Sequence, residues 1–318
     1  MNTPPFDPRP PAVLGDDALV LGMDVGGSTI KAEITDAAGT VLAATAVATP
    51  QGEAAFDAML DLGEAMLNRL PATDRARVER AAVVLPGLVD TANSIAVFSS
   101  NVGWRNVKVG TRFTDRWKMP VLIDHDVAVA GWAEWRFGAG RDHDTVCVVV
   151  IGTGISGTLS VAGRFVRGAL GQAGEYGHIA VRHDNGLPCP CGNTGCVETV
   201  ASATNIARAY AHTTGRECDS AAEVFARLDH DPAAQAVVAD AMNALADGLS
   251  GVIHAVCPEL IVLGGGLTGA GPALPQALHQ ALTARLRVAP VPQVVIGEFG
   301  PRAGLTGAAL LARHGALT

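Results

Sequence analysis

One arrangement recurs along this chain and restricts its possible folds more than any other: an apolar strand that ends in a glycine turn and reverses into a second strand. ALVLGMD runs into VGGST and then IKAEITD, and after an Ala-Ala-Gly turn TVLAATAVA alternates again. TVCVVVIG runs into TGISG and then TLSV, and after an Ala-Gly turn RFVRG follows, roughly 125 residues later. Alternation with period two reads as strand, and glycine at the reversal reads as a tight turn. Repetition at this spacing predicts two related lobes and not a solenoid, whose repeats are far shorter.

Helical patterns separate the two units. EAAFDAMLDLGEAMLNRL sets Phe56, Leu60, Met66 and Leu67 near one face. A long Ala-rich run opens at Pro232, a residue suited to the first helical turn, and leads into the apolar ELIVLGGG. VPQVVIG reads as a late strand and GLTGAALLARHG as a closing helix. Strands mixed with helices in this way predict an α/β protein. The expected organisation is an arm over 1–17, an N-terminal lobe over 18–124 completed by 304–318, and a C-terminal lobe over 125–303.

Composition narrows the function. With 48% hydrophobic and 17% charged residues, the 318-residue chain has ample material for a large core. Its formal charge is −8 and no Lys/Arg stripe is present, which argues against nucleic acid as the main partner. The Pro-rich opening MNTPPFDPRPPAVLGDD has no apolar core run and does not read as a signal peptide. No apolar stretch reaches about 18 residues without polar interruption, the length of a spanning helix. A cytoplasmic location follows, and there the cluster Cys189, Cys191 and Cys196 reads as a metal site ahead of a disulfide knot.

Three glycine turns follow apolar strands: Asp24-Val25-Gly26-Gly27-Ser28-Thr29, Gly152-Thr153-Gly154 and Gly264-Gly265-Gly266. Such turns let backbone N–H groups approach a phosphate, and Asp24 could hold Mg²⁺ through water. Lys31 either reaches phosphate or stays a solvated strand lysine. None of the three matches a P-loop or a dinucleotide fingerprint. Together they predict a nucleotide cleft between the lobes.

The chain resembles the ROK family of repressors and sugar kinases, which has the actin-like, ribonuclease-H-like ATPase fold. The resemblance rests on MDVGGSTIKAEITD, VIGTGISG, IVLGGGL, GEYGH and CPCGNTGCVE, and it runs from about Leu19 to the closing GLTGAALLA. It implies ATP with Mg²⁺, a free hexose as the other substrate, and a homodimer. It also implies a zinc site of His178, Cys189, Cys191 and Cys196, whose one imidazole and three thiols suit a closed tetrahedral structural ion. Glycines at 186, 192 and 195 allow the sharp turns that such close ligands need. By the same resemblance Glu175, His178 and Glu198 contact sugar hydroxyls, as do Gly87 and Asn101.

LIDHDVAVAGW resembles the family segment with an Asn-Asp pair before a helix, and Asp126 matches its catalytic base. Read alone, an aspartate there is a helix cap. This chain departs from the family with His125 in place of the first Asn and Ala128 in place of a later one. Neutral His offers one donor and one acceptor on a larger ring, and can accept from an ammonium. The expected sugar is therefore an amino-hexose such as kanosamine, placed ahead of glucose, with an ordinary glucokinase or an N-acetylmannosamine kinase as alternatives. A polyphosphate-using glucokinase is disfavoured by the cysteine motif. A sugar-responsive regulator is disfavoured by the short Pro-rich stretch before the first strand, too brief for a helix-turn-helix. Cys147, Cys218 and Cys257 are expected as small core residues, and the four tryptophans as packing or interface residues.

Overall fold

The computed structural model describes residues 13–169 and 171–317. Two compact units emerge, one running to Ala130 and resumed from Gly304, the other from Gly131 to Ala303. The division thus falls beyond 124, and His125 and Asp126 belong to the first unit. Most of the expected arm lies outside the described residues, and from Leu14 onward its end is tied, the Leu14 N–H donating to Arg313 O at 3.0 Å.

The first unit opens with β1 (Leu19–Val25), β2 (Thr29–Thr35), β3 (Val41–Ala48) and β4 (Val78–Leu85). β5 (Leu88–Asp90), β6 (Ile95–Phe98) and β7 (Arg105–Lys108) make a small antiparallel sheet, and β8 (Val121–His125) returns to the large one. The large sheet has the order β3-β2-β1-β4-β8, with β1 antiparallel to β2 and parallel to β4. Every residue of β1 is buried except Asp24, as befits a central strand covered on both faces.

Helix α1 (Ala54–Arg69) buries Phe56, Leu60, Met66 and Leu67 as the spacing predicts. After the single turn α2 (Ala72–Arg75), α3 (Gly110–Trp117) turns Phe113 and Trp117 inward, four residues apart on one face. The Trp117 ring fills the space at Gly63, where an added Cβ would lie 2.2 Å away, and its Nε1–H donates to Leu60 O at 3.0 Å.

Helix α4 (Asp126–Arg136) follows β8 without a loop. The second unit then repeats the first: β9 (Val146–Ile151), β10 (Ile155–Val161), β11 (Arg164–Val166), β12 (Leu260–Gly264) and β13 (Gln293–Ile296) lie in the order β11-β10-β9-β12-β13. β9 is antiparallel to β10 and parallel to β12, the pairing pattern of β1 with β2 and β4. Between β11 and β13 come α5 (Glu198–Ala201), α6 (Ala203–Thr214), α7 (Ala221–Ala226), α8 (Pro232–Val256) and α9 (Ala273–Arg285).

Asp231 caps α8, its Oδ1 accepting from the N–H of Ala233 at 2.8 Å. By length and composition α8 could cross a membrane, yet 56% of its most apolar window is buried inside the second unit, where it serves as the core helix. It ends at Cys257 in the left-handed region. Cys257 is therefore an exposed helix terminator and Cys218 is half-buried; of the three expected core cysteines only Cys147 is buried. All four tryptophans are buried, at 1–5% exposure.

The closing helix α10 (Ala303–His314) lies against β1, where a Cβ on Gly22 would come within 2.9 Å of Ala309 N. Two glycine substitutions separate packing from propensity. Gly63→Ala forces a methyl into the Trp117 ring and should cost about 1–3 kcal/mol. Gly251→Ala, on an open position of α8, should gain about 0.5–1 kcal/mol, and urea unfolding of both variants reads the opposite signs.

Candidate functional site

The first glycine turn sits where the only half-buried residue of β1, Asp24, faces Lys31 across the β1–β2 ladder. The turn is closed by the Gly26 N–H donating to Thr29 O at 2.9 Å and by Thr49 Oγ1 donating to Gly26 O at 2.8 Å. Thr29 and Lys31 share a strand face. Gly27 leaves room for Asn101, whose Cβ would be 3.3 Å from a Cβ on that glycine. Gly304, early in α10, is held so close that its Cβ would lie 2.9 Å from the Asp24 carboxylate.

Gly87 has a φ of 92°, and a Cβ there would meet Phe98 O at 2.2 Å. Only glycine fits that approach, and the strand it approaches leads directly to Asn101. Gly87, Asn101, Asp24, Lys31 and the first turn are thus brought together within one unit.

Asp126 belongs to the same group. Burial first, then the charge of Asp126, pushes the Asp24 carboxyl up to about 6, while Lys31 opposes the rise. The direct run of β8 into α4 sets three neighbours. Asp124 Oδ1 accepts the His125 N–H at 2.8 Å, Asp126 Oδ1 accepts the Val127 N–H at 2.7 Å, and His125 Nε2 stands 3.1 Å from that same oxygen. The side chains of His125 and Asp126 keep 22% and 27% of their surface open. Burial raises the Asp126 carboxyl above its ordinary range, against the pull of His125 and of the Val127 N–H. At the start of α4, Oδ1 thus accepts one of the helix's first N–H groups, as the helix-cap reading expects.

In the second unit the Gly152 N–H donates to Gly154 O at 2.9 Å, closing the second turn. Glu198 is seated on it: its Oε2 accepts the Ile155 N–H at 2.7 Å and would lie 2.5 Å from a Cβ on Gly154. The third turn stacks on the end of β9, with Gly265 at a φ of 83° and a virtual Cβ 2.5 Å from Ile151 O. These two turns open onto a cavity of about 580 Å³ lined by Gly152, Thr153, Gly266, Arg208, Cys218 and Ser220.

The α6 and α7 side of this cavity was missed from sequence. Its local signals are Ser202 and Ser220, which cap the two helices by accepting from the N–H groups of Asn205 and Glu223, each at 3.3 Å.

The ligand atoms of His178, Cys189, Cys191 and Cys196 lie within 4.8 Å of one another. Bridges pair Ala180 with Cys196 and Pro188 with Thr194, and the Cys189 N–H donates to Asn193 O at 2.8 Å. Gly195 makes this fold-back possible, since a Cβ there would lie 1.8 Å from Arg182 O. Cys189 Sγ is 3.6 Å from His178 Nδ1, and Cys191 Sγ is 3.8 Å from Cys196 Sγ.

Around a tetrahedral zinc ion the S–S edge is about 3.8 Å and the S–N edge about 3.5 Å, given Zn–S near 2.3 Å. A disulfide needs about 2.05 Å. The donor set and spacing fit zinc. Burial, then the neighbouring thiols Cys189 and Cys191, pushes Cys196 up to about 12, whereas the Asn193 N–H pulls Cys191 down. The second nitrogen of His178, Nε2, is 4.0 Å from Glu175 Oε2.

The ROK family model matches residues 20–315. The chain is 30% identical over 316 residues to a glucokinase of Halalkalibacterium halodurans, covering 94% of this chain and 96% of that one. It is 33% identical over 311 residues to an N-acetylgalactosamine kinase of Shewanella sp. (strain ANA-3), covering 93% and 97%. It is also similar to the crystal structure of a ROK family glucokinase from Streptomyces griseus in complex with glucose and AMPPNP. That match has a TM-score of 0.78 and 30% identity over 94% of this chain and all of that one.

Asp24 gives a test of the acid cluster that needs no substrate. Its folded value near 6 exceeds the ordinary 3.8, so its contribution to stability is full below the ordinary value and is lost as pH rises through about 6. Asp24→Asn does not titrate. Without nucleotide or magnesium, its melting temperature should gain on the parent's between about pH 4 and 7 and then level off. A constant difference across that range would remove the burial argument.

Proposed function

This chain belongs to the ROK family and is a sugar kinase, and from that premise we propose that it transfers the γ-phosphoryl group of ATP to the C6 hydroxyl of a glucose-type hexose or amino-hexose. The sugar placed first is an amino-hexose of the kanosamine kind, with glucose second. The observation that carries this choice is His125, partly exposed beside Asp126 where the family resemblance sets an asparagine. An imidazole nitrogen can accept a hydrogen bond from an ammonium, as can the exposed carboxylate of Glu175. Glucose is favoured in turn by the glucokinase names of similar proteins, and the N-acetylgalactosamine kinase is a relative that acts on an amino-sugar derivative.

In the proposed reaction the Asp126 carboxylate takes the proton of the C6 hydroxyl as that oxygen attacks the γ-phosphorus. The bond to the β–γ bridging oxygen breaks, leaving a sugar 6-phosphate and ADP. Phosphoryl transfer depends mainly on positioning and charge stabilisation. Gly26, Gly27, Ser28, Thr29 and Lys31 of the first unit, with Gly152, Thr153 and Gly154 of the second, are the proposed phosphate contacts. Gly264, Gly265 and Gly266, with the cavity beside α6 and α7, are proposed to take the nucleoside. Mg²⁺ bound with the nucleotide would neutralise phosphate charge, and the hard oxygen donor Asp24 suits it through water.

Gly87, Asn101, Glu175, His178 and Glu198 are the proposed sugar contacts. Zinc on His178, Cys189, Cys191 and Cys196 would have a structural part, fixing the loop that bears Glu175 and orienting the His178 ring. A cytoplasmic location and a homodimer complete the reading.

Initial rates with MgATP across glucose, mannose, N-acetylmannosamine and kanosamine test it. The expected order has kanosamine first; glucose well ahead would make this an ordinary glucokinase. Turnover of none would favour the sugar-responsive regulator. Asp126→Asn should lose about 10²–10⁴-fold in kcat, the usual worth of a general base. Purified protein should contain one zinc per chain, and chelation should weaken sugar affinity. Full affinity in metal-free protein would sink the structural part given to zinc.

A further inference from the structure

Asn205, in the first turn of α6, uses its whole side-chain amide. Oδ1 accepts from Arg208 Nη1 at 3.0 Å, while Nδ2 donates to Glu198 O at 2.9 Å and to Ser202 Oγ at 2.9 Å. The partners force this orientation, since a guanidinium only donates and a backbone carbonyl only accepts. The Glu198 carbonyl also takes the Ser202 N–H at 3.3 Å, and it belongs to the single helical turn α5. At its other end Glu198 is seated on the second glycine turn, through Oε2 and the Ile155 N–H. That turn is tied to α6 as well, the Ala203 N–H donating to Gly152 O at 2.9 Å.

Arg208 lies three residues beyond Asn205 on α6, where with Thr204 and Ala207 it lines the cavity of about 580 Å³. It is exposed, and among the described residues its side chain makes one hydrogen bond, to Asn205, and no ion pair. A guanidinium carries several N–H donors in a planar fork, so a flat or anionic ligand in the cavity finds the remaining ones free. Such a ligand also excludes water from the bond between Nη1 and Asn205, which strengthens it.

We propose that Asn205 is a positioning residue that makes sugar affinity depend on bound nucleotide. A nucleotide in the cavity settles Arg208, Arg208 holds the Asn205 amide, and Asn205 holds the main chain from which the Glu198 carboxylate projects. This rests on the kinase reading above, with Glu198 as a sugar contact and this cavity as the nucleoside site. The whole relay lies within the second unit. Coupling of this kind is reciprocal, so sugar tightens nucleotide by the same factor.

Calorimetric titration of glucose and of kanosamine, with and without saturating MgAMPPNP, reads the coupling as a ratio of dissociation constants. In the wild type the nucleotide analogue should tighten sugar binding about fivefold or more. Arg208→Met keeps an apolar stem and removes the guanidinium. Asn205→Asp keeps an acceptor for Arg208 and removes the donations to Glu198 and Ser202. In each variant, with nucleotide raised to saturation, the ratio should fall below about twofold. A residue that only supported the fold would shift both dissociation constants together and leave their ratio unmoved.

A ratio in either variant that matches the wild type, or a wild-type ratio near one, would overturn the proposal. Should Asn205→Asp fail to fold, Arg208→Met at its exposed position still decides. Failure of the kinase reading looks different: neither sugar binds or is turned over, and the relay falls with it. Failure of the relay alone leaves binding and turnover in place with no coupling between them.

Discussion

Both halves of this molecule depend on one backbone constraint. β1 and β9 are central strands, each flanked by an antiparallel and a parallel neighbour, and almost wholly buried. A strand in that position must reverse at once into its antiparallel partner, in a turn whose N–H groups have no ladder to join. Glycine allows the reversal, and each turn closes on itself, the Gly26 N–H donating to Thr29 O and the Gly152 N–H to Gly154 O. Each turn is then approached by one polar side chain from a later segment, Asn101 at Gly27 and Glu198 at Gly154. The duplication therefore extends past strand order to the manner in which each half dresses its turn. A side chain larger than hydrogen at either glycine would displace the residue that the turn holds.

Cation chemistry is divided between the units. The first unit gathers hard oxygen donors, Asp24 and Asp126, with Lys31 and His125 as charges that oppose them. The second gathers three thiols and an imidazole at tetrahedral spacing. Zinc prefers a sulfur set and magnesium an oxygen set, so the two donor groups suit different ions. The acid cluster also carries a cost in the free protein. The charge of Asp126 raises the proton affinity of the largely buried Asp24, which a divalent cation would relieve.

The repeated strand–turn–strand pattern was legible because alternation and glycine are local signals, and it accounts for the antiparallel halves of both sheets, whereas the parallel neighbours β4, β8, β12 and β13 come from distant segments. The helix from Pro232 was legible for the same reason, with Asp231 and Pro232 at its start. The sheet β5–β7 and helix α3 were not, because strands of three or four residues carry too few alternations. Cys257 looked like a core residue from its apolar surroundings, yet it stops α8 in the left-handed region and faces solvent. In the candidate site, the clustering of His178 with three cysteines was readable from spacing, since all four lie in one short segment. The gathering of Asp24 and Asp126 was not, because only the register of β1, β4 and β8 brings them together.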